Sequence, residues 1–255
     1  MAHVLNCDRL SLYLNKDRKL AKEESTLVSS ILKRRITGEP AQYILGYTEF
    51  MGLRFKVDGR VLIPRPETEI LVETALKIKQ RISRDSGRPL EILDMGTGSG
   101  CIAVSLAKNI ADCRITASDI SSHALELAKE NADLHQARIE FTQSDLFFSL
   151  EGRKFDLIVS NPPYIPSEVL NTLEREISFE PVSALEGGSD GLDFYRRIIS
   201  RAASYLNKGG FLIMEIGFGQ SGLIENIVKK AGNFEIIEVV RDYNNIERVM
   251  VLWIS

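Results

Sequence analysis

Ile92-Leu93-Asp94-Met95-Gly96-Thr97-Gly98-Ser99-Gly100-Cys101-Ile102-Ala103 is the stretch from which the fold can be read. An apolar run enters three alternate glycines and leaves as the start of a helical pattern. Glycines permit a tight turn and let a ligand approach the backbone. In open α/β sheets such a turn lies at the carboxyl end of a strand, where ligands bind. Outward from it, strands are predicted at 91–94, 114–118, 139–142, 155–160, 211–216, 234–240 and 249–254. Helices are predicted at 66–82, 100–109, 121–135, 192–206 and 220–231. This alternation predicts an α/β protein with a doubly wound, seven-stranded, mostly parallel sheet. The stretch 241–245 is too short for a helical crossover, so the last two strands should form an antiparallel hairpin at a sheet edge.

Upstream, residues 10–36 are helical in pattern, with Leu10, Leu14, Leu20, Leu27, Ile31 and Leu32 spaced for one buried face. Thr37-Gly38-Glu39-Pro40 stops that segment. Tyr47 to Val57 alternates apolar and polar residues around Met51-Gly52, a hairpin pattern. The chain therefore divides into a small helical unit (1–46), a β-hairpin linker (47–62) and an α/β domain (63–255).

The 255 residues are 44% hydrophobic and 26% charged, an ordinary globular profile. Cys7, Cys101 and Cys113 make no C-x-x-C pair or Cys/His cluster, so neither disulfide nor metal is expected. No run of 18 apolar residues occurs, and Met1-Ala2-His3-Val4 opens neither a signal nor a transit peptide. A cytoplasmic protein without membrane contact is expected. Residues 1–60 carry 11 Lys/Arg against 7 Asp/Glu, and residues 61–255 carry 21 against 28. That is +4 followed by −7, with a pI near 5.8, which argues against a free-standing, sequence-specific nucleic-acid binder.

Which ligand the glycine turn serves follows from its neighbours. The dinucleotide fingerprint is G-x-G-x-x-G, and Cys101 stands where its third glycine would be. Asp94 sets a carboxylate beside the turn, repelling a pyrophosphate and favouring a cationic amino group. Asp119 ends the second strand, where it can accept from a ribose diol. Asp145, at the end of the third, suits an adenine amino group. One carboxylate per strand end, with no Lys or Arg nearby in the sequence, fits S-adenosyl-L-methionine better than NAD. The plainer alternative makes each aspartate a helix N-cap.

The fourth strand runs into Asn161-Pro162-Pro163-Tyr164. Consecutive prolines fix the backbone and remove two N–H donors, leaving the turn's carbonyls uncontested. Asn161 adds a side-chain carbonyl, and Tyr164 a flat ring for stacking. The tetrad suits a planar substrate bearing an NH2 group, either an amide or the exocyclic amine of adenine or cytosine. No side chain stands out as a general base, and His123 and His135 lie on a predicted helix away from the strand ends.

These motifs, with Ile63-Pro64-Arg65-Pro66-Glu67-Thr68-Glu69, Gln42-Tyr43-Ile44-Leu45-Gly46, Glu180-Pro181 and Gly188–Leu192, resemble the peptide chain release factor glutamine methyltransferases (PrmC/HemK family) of bacteria and organelles. The resemblance spans residues 38–255. It implies a Rossmann-like methyltransferase domain that moves a methyl group from S-adenosyl-L-methionine to the glutamine N5 of the Gly-Gly-Gln motif in class 1 release factors, leaving S-adenosyl-L-homocysteine. Gly96, Thr97, Gly98, Ser99, Gly100 and Asp119 would hold the cofactor, with Asp145 and Leu146 flanking the adenine. Leu146 is aliphatic where several members carry an aromatic. Asn161, Pro162, Pro163 and Tyr164 would hold the glutamine amide, and Asn161, Pro162 and Tyr164 would carry catalysis. The N-terminal unit, shorter than is usual in the family, would dock the release factor, and a monomer is expected. The competing readings are an adenine- or cytosine-directed nucleic-acid methyltransferase and a silent S-adenosylmethionine-binding module.

Read from the residues alone, Pro66 suits a first helical turn, with Glu67 and Glu69 favourable at its positive end. Asp190 reads as an N-cap for the helix that follows.

Overall fold

The computed structural model describes residues 1–82 and 87–255. Three short helices come first, α1 (Arg9–Leu14), α2 (Lys22–Ile36) and α3 (Ala41–Leu45), and then the hairpin β1 (Tyr47–Phe50) and β2 (Leu53–Lys56). The alternating portion follows as α4 (Pro66–Ile78), β3 (Leu90–Met95), α5 (Cys101–Asn109), β4 (Cys113–Asp119), α6 (Ser122–Leu134), β5 (Ile139–Gln143) and β6 (Phe155–Ser160). It closes with α7 (Asp193–Ala202), β7 (Leu206–Glu215), α8 (Ser221–Ala231), β8 (Glu235–Arg241) and β9 (Glu247–Trp253).

The strands of the large sheet lie in the order β5-β4-β3-β6-β7-β9-β8. β3 to β7 run parallel, and β9 is antiparallel to both β7 and β8, which makes the expected edge hairpin. The chain winds outward from β3 to β5 and then returns to β3's other side as β6. That reversal opens a crevice at the carboxyl ends of β3 and β6, the switch point where such sheets bind ligands.

The side-chain period of two sends alternate residues to opposite faces. Ile92, Leu157, Val159 and Val251 join one buried cluster with α4 and α5. Leu93, Ile158, Met250 and Leu252 join the other with α7 and α8. Burial on both faces is why β6 reads as an unbroken apolar run around a single charged residue, Asp156. Asp156 is buried but held by Arg88 through two bonds of 2.6 and 2.7 Å, which keep its carboxyl below the usual range.

The hairpin turns at Met51 (φ +50°) and Gly52 (φ +72°), the twin positive values of a two-residue turn that matches strand twist. It is fastened to the α/β unit. Phe50 and Phe55 are buried in the first cluster, and the Met51 N–H donates to Glu69 on α4 at 2.5 Å. Asn131 on α6 accepts from the Lys56 N–H and donates to both the Lys56 and Ser99 carbonyls, tying β2 to the glycine turn.

Two expectations need correction. Residues 10–36 split at Asn15–Ala21 into two helices, and their apolar stripe is not covered. Leu10, Leu14, Leu27 and Leu32 are 67%, 75%, 48% and 54% exposed and only Leu20 and Ile31 of the stripe are half-buried, because among the described elements α3 is the one that packs closely on α2. The helix predicted over 192–206 ends at Ala202, and Leu206 already pairs with Phe155 as the first residue of β7. An apolar Leu206 satisfies either period, so spacing did not separate helix from strand there. Among the described residues no helix is long and apolar enough to cross a membrane.

Candidate active site

The crevice is a cavity of about 370 Å³ at the carboxyl ends of β3, β4 and β6. Its first wall is the glycine turn. The Gly96 and Thr97 N–H groups donate to the Ser118 carbonyl at 2.8 and 2.9 Å, which ties the turn to β4. Gly96, Gly98 and Gly100 all have positive φ, and a Cβ at Gly100 would come within 3.2 Å of the Ala128 backbone. Cys101 also lines the cavity, where burial pushes its thiol up to about 12 and leaves it unreactive.

Asp94, expected to set its carboxylate beside the turn, stands behind it and not in the cavity wall. It is fully buried and accepts from Thr97 Oγ1 at 2.6 Å and from the Ala103 N–H at 3.1 Å, so it clamps turn to helix. Its Oδ1 has no hydrogen-bond partner among the described residues, and burial pushes its carboxyl up to about 7.

Asp119 does face the cavity. Its two oxygens accept the Gly98 and Ser121 N–H groups at 2.9 Å each, which fixes the carboxylate toward the cavity. Burial raises its carboxyl above the ordinary range.

Asp145 and Leu146 also line the cavity, but Asp145 is half exposed and bonded to Arg197 through both oxygens at 2.7 Å. Arginines do reach the site from elsewhere in the chain, but not as free phosphate ligands. Arg197 arrives on α7, 52 residues later, and Arg65 and Arg60 come from the preceding loop. Each is paired with a carboxylate, Arg65 with Glu180 and Arg60 with Asp58, so no bare anion site results. Leu146 adopts φ +51°, a left-handed conformation that costs a non-glycine residue about 1–2 kcal/mol. The Ser144 hydroxyl donates to its carbonyl at 2.8 Å and helps to hold it there.

The opposite wall is the Asn161-Pro162-Pro163 turn, joined to β3 by the Ser160 hydroxyl donating to the Met95 carbonyl. The Asn161 Nδ2 donates to Thr68 Oγ1 at 3.1 Å, and Thr68 donates to Glu215 Oε2 at 2.7 Å. Thr68 and Glu215 are 3% and 2% exposed. Tyr164 does not line the cavity, a correction to the expected stacking ring. It packs against the second core cluster, and its hydroxyl donates to Glu215 Oε1 at 3.4 Å.

The two motifs of unread role now acquire places. Arg65 pairs with Glu180, which also accepts the Ile63 N–H at 3.2 Å, so the Ile63–Glu69 stretch and the Glu180 loop close on one another. The Glu186–Leu192 run lies along the proline turn. A Cβ on Gly187 would come within 2.8 Å of the Pro163 carbonyl, and one on Gly191 within 2.4 Å of the Tyr164 carbonyl.

Glu215 and Arg197 are the site residues that reading the sequence missed, while Thr68 and Glu180 were singled out in motifs without a role. The available signal was Glu215 itself, a carboxylate ending the apolar run Phe211-Leu212-Ile213-Met214. His123 is on the surface and His135 bonds the Arg54 carbonyl, and neither lines the cavity.

Residues 68–186 match the family model of the methyltransferase small domain, and residues 1–46 match that of the PrmC N-terminal domain. The chain is 43% identical over 251 residues to the release factor glutamine methyltransferase of Geobacter sulfurreducens, a match covering 98% of this chain and 86% of that protein. It is 41% identical over 254 residues to the release factor glutamine methyltransferase of Thermodesulfovibrio yellowstonii, covering 99% and 89%. Among solved structures, the ribosomal protein L11 methylase from Lactobacillus delbrueckii subsp. bulgaricus is 26% identical with a TM-score of 0.52, covering 78% of this chain and 83% of that one. A methyltransferase from Pyrococcus furiosus (15% identical, TM-score 0.58, covering 91% and 98%) shares the fold.

Proposed function

The chain belongs to the release factor glutamine methyltransferase family, and we propose on that premise that it methylates N5 of the glutamine in the Gly-Gly-Gln motif of class 1 peptide chain release factors, with S-adenosyl-L-methionine as donor and S-adenosyl-L-homocysteine as product. The observation that carries this reading is the carboxamide of Asn161. Its NH2 end is tied back to Thr68, which leaves Oδ1 as a free acceptor on the cavity side, opposite the glycine turn.

The residues present fit an adenosyl sulfonium. Asp119 faces the cavity with a fixed carboxylate that can accept from the hydroxyls of a ribose. Leu146 and Ile120 offer apolar contact for a base, and Asp145 keeps acceptor capacity beyond its Arg197 bonds. The carboxylates of Asp94 and Asp119 bias the turn toward a cation. When bound, the cofactor supplies an electrophilic methyl group on a positively charged sulfur.

An amide nitrogen is a poor nucleophile because its lone pair is delocalised into the carbonyl. Asn161 Oδ1 and the Pro162 carbonyl each accept one N–H of the glutamine amide, aiming the lone pair across the cavity. The same two dipoles oppose the positive charge that develops on nitrogen. Holding the amide in line at contact distance can contribute roughly 7–11 kcal/mol. The methylated nitrogen, now cationic and acidic, then loses one proton to water, directly or along its hydrogen bond to Asn161 Oδ1, which leaves the neutral N-methyl amide. In the same reading residues 1–46 dock the release factor, 47–62 link, and 63–255 carry out transfer. The exposed leucine stripe of α1 and α2 supports a docking role.

The test is to supply methyl-labelled cofactor with release factor, DNA or ribosomal RNA in separate reactions and to locate the label by mass spectrometry. Label on the glutamine of Gly-Gly-Gln is the expected result. Label on nucleic acid alone would establish the base-directed alternative, and cofactor binding with no transfer would establish a silent module.

A further inference from the structure

Glu215 is a buried carboxylate that does not line the cavity, yet two side-chain hydroxyls converge on it. Its Oε2 accepts from the Thr68 hydroxyl and its Oε1 from the Tyr164 hydroxyl. Thr68 Oγ1 in turn accepts from Asn161 Nδ2. The direction of this chain is fixed by proton bookkeeping. An ionised carboxylate has no proton to give, so the single Thr68 hydrogen must point at Glu215. Thr68 then shows only lone pairs to Asn161, and only the NH2 end of the carboxamide can face them. Oδ1 is thereby turned to the cavity.

We infer that Glu215, acting through Thr68, is a positioning residue that selects which end of the Asn161 carboxamide faces the substrate, with Tyr164 anchored to the same carboxylate. The inference rests on the amide-transfer reading only in what it says the exposed oxygen is for.

A proton on Oε2 reverses the chain. Glu215 then donates to Thr68, Thr68 donates to Asn161 Oδ1, and the carboxamide turns its NH2 toward an incoming NH2, which it cannot accept from. The groups facing Glu215 are Thr68 and Glu67 on α4, Cys101 on α5, Tyr164 after β6 and Arg248 on β9, while the Tyr195 hydroxyl from α7 bonds its backbone carbonyl. Burial is the dominant influence and pushes the carboxyl up to about 7. Glu67 adds to this, and Arg248 and the two hydroxyl bonds oppose it. The productive orientation therefore holds above that pH and is lost below it.

Two readouts test this in the full-length protein. With release factor and saturating cofactor, kcat should fall roughly tenfold per pH unit below about 7, and the fall should vanish in Glu215→Gln. Saturation confines any titration of Asp94 to cofactor affinity. Thr68→Val should lower kcat at least tenfold with cofactor affinity unchanged, and Thr68→Ser should restore most of it. Should Glu215→Gln fail to fold, the Thr68 pair decides, since it leaves the buried carboxylate in place. The second readout needs no methyl acceptor. The side-chain amide resonance of Asn161, assigned by its loss in Asn161→Asp, should titrate with a midpoint near 7 in the native chain and not in Thr68→Val. Wild-type kcat in Thr68→Val, or an Asn161 resonance that does not titrate, would overturn the inference. A titrating resonance without methylation of release factor would leave it standing and defeat the proposed substrate.

Discussion

Asp119 and Asn161 face each other's halves of the crevice from the ends of β4 and β6, and each half can be disabled alone. Asp119→Ala removes the acceptor aimed at the ribose and should weaken cofactor binding by about 1–3 kcal/mol, since hydrogen bonds to a charged group are lost. Calorimetry would show this, and unchanged affinity would refute the assignment. Asn161→Ala should instead leave cofactor affinity intact while kcat falls by about 10²–10³, the usual loss for one preorganised dipole in a transition state. Single-turnover rates with bound cofactor distinguish the two. Both residues were legible because they stand at the carboxyl ends of predicted strands, where side chains emerge into a crevice. Asp94 and Tyr164 were legible as residues but not as to side. Asp94 lies two positions before Gly96, within β3, and its carboxylate turns inward to Thr97 and Ala103. The Tyr164 ring is drawn back by a carboxylate 51 residues away. Thr68 and Glu215 were illegible as a pair because 147 residues separate them.

At the scale of elements, period decides what can be read. The largely apolar runs of β3 and β6 and the Met51-Gly52 turn have local signatures, and each appears where its signature lies. The hairpin's attachment has none, since Phe50 and Phe55 alternate as any half-buried strand would. Phe55 is completely buried against the first cluster, so Phe55→Ala should cost about 3–5 kcal/mol in a urea titration. The helical stripe of α1 and α2 teaches the converse. Leucines at helical spacing announce an apolar face, not what covers it. Leu32 on α2 is 54% exposed, so Leu32→Glu should change unfolding free energy by no more than about 0.5 kcal/mol. If that face docks the release factor, the same variant should raise KM for release factor and spare cofactor affinity.

Across the whole molecule, stability and activity should respond to pH in opposite directions. Asp94 and Glu215 are fully buried carboxyls pushed up to about 7, far above their values in an unfolded chain, and Asp119 and Glu180 are raised by the same cause. Between about 4 and 7 the folded state therefore binds more protons than the unfolded one, so stability falls as pH rises through that window and levels off above it. Asp156 and the more exposed Asp8, Glu39, Asp58, Glu130, Asp190 and Asp242, all held below the ordinary range, act with the opposite sign but only at lower pH. The melting temperature should accordingly rise as pH is lowered from about 8 to about 5, where kcat is falling because the Glu215 chain has reversed. Glu215→Gln tests both limbs at once. It removes a buried charge while keeping the shape, so at pH 8 it should melt higher than the native chain and turn over more slowly. Scanning calorimetry at pH 8 checks the first and steady-state methylation the second. A variant that is both less stable and slower at pH 8 would mean that the ionised carboxylate is a net support of the fold, and that its cost is already met by Thr68, Tyr164 and Arg248.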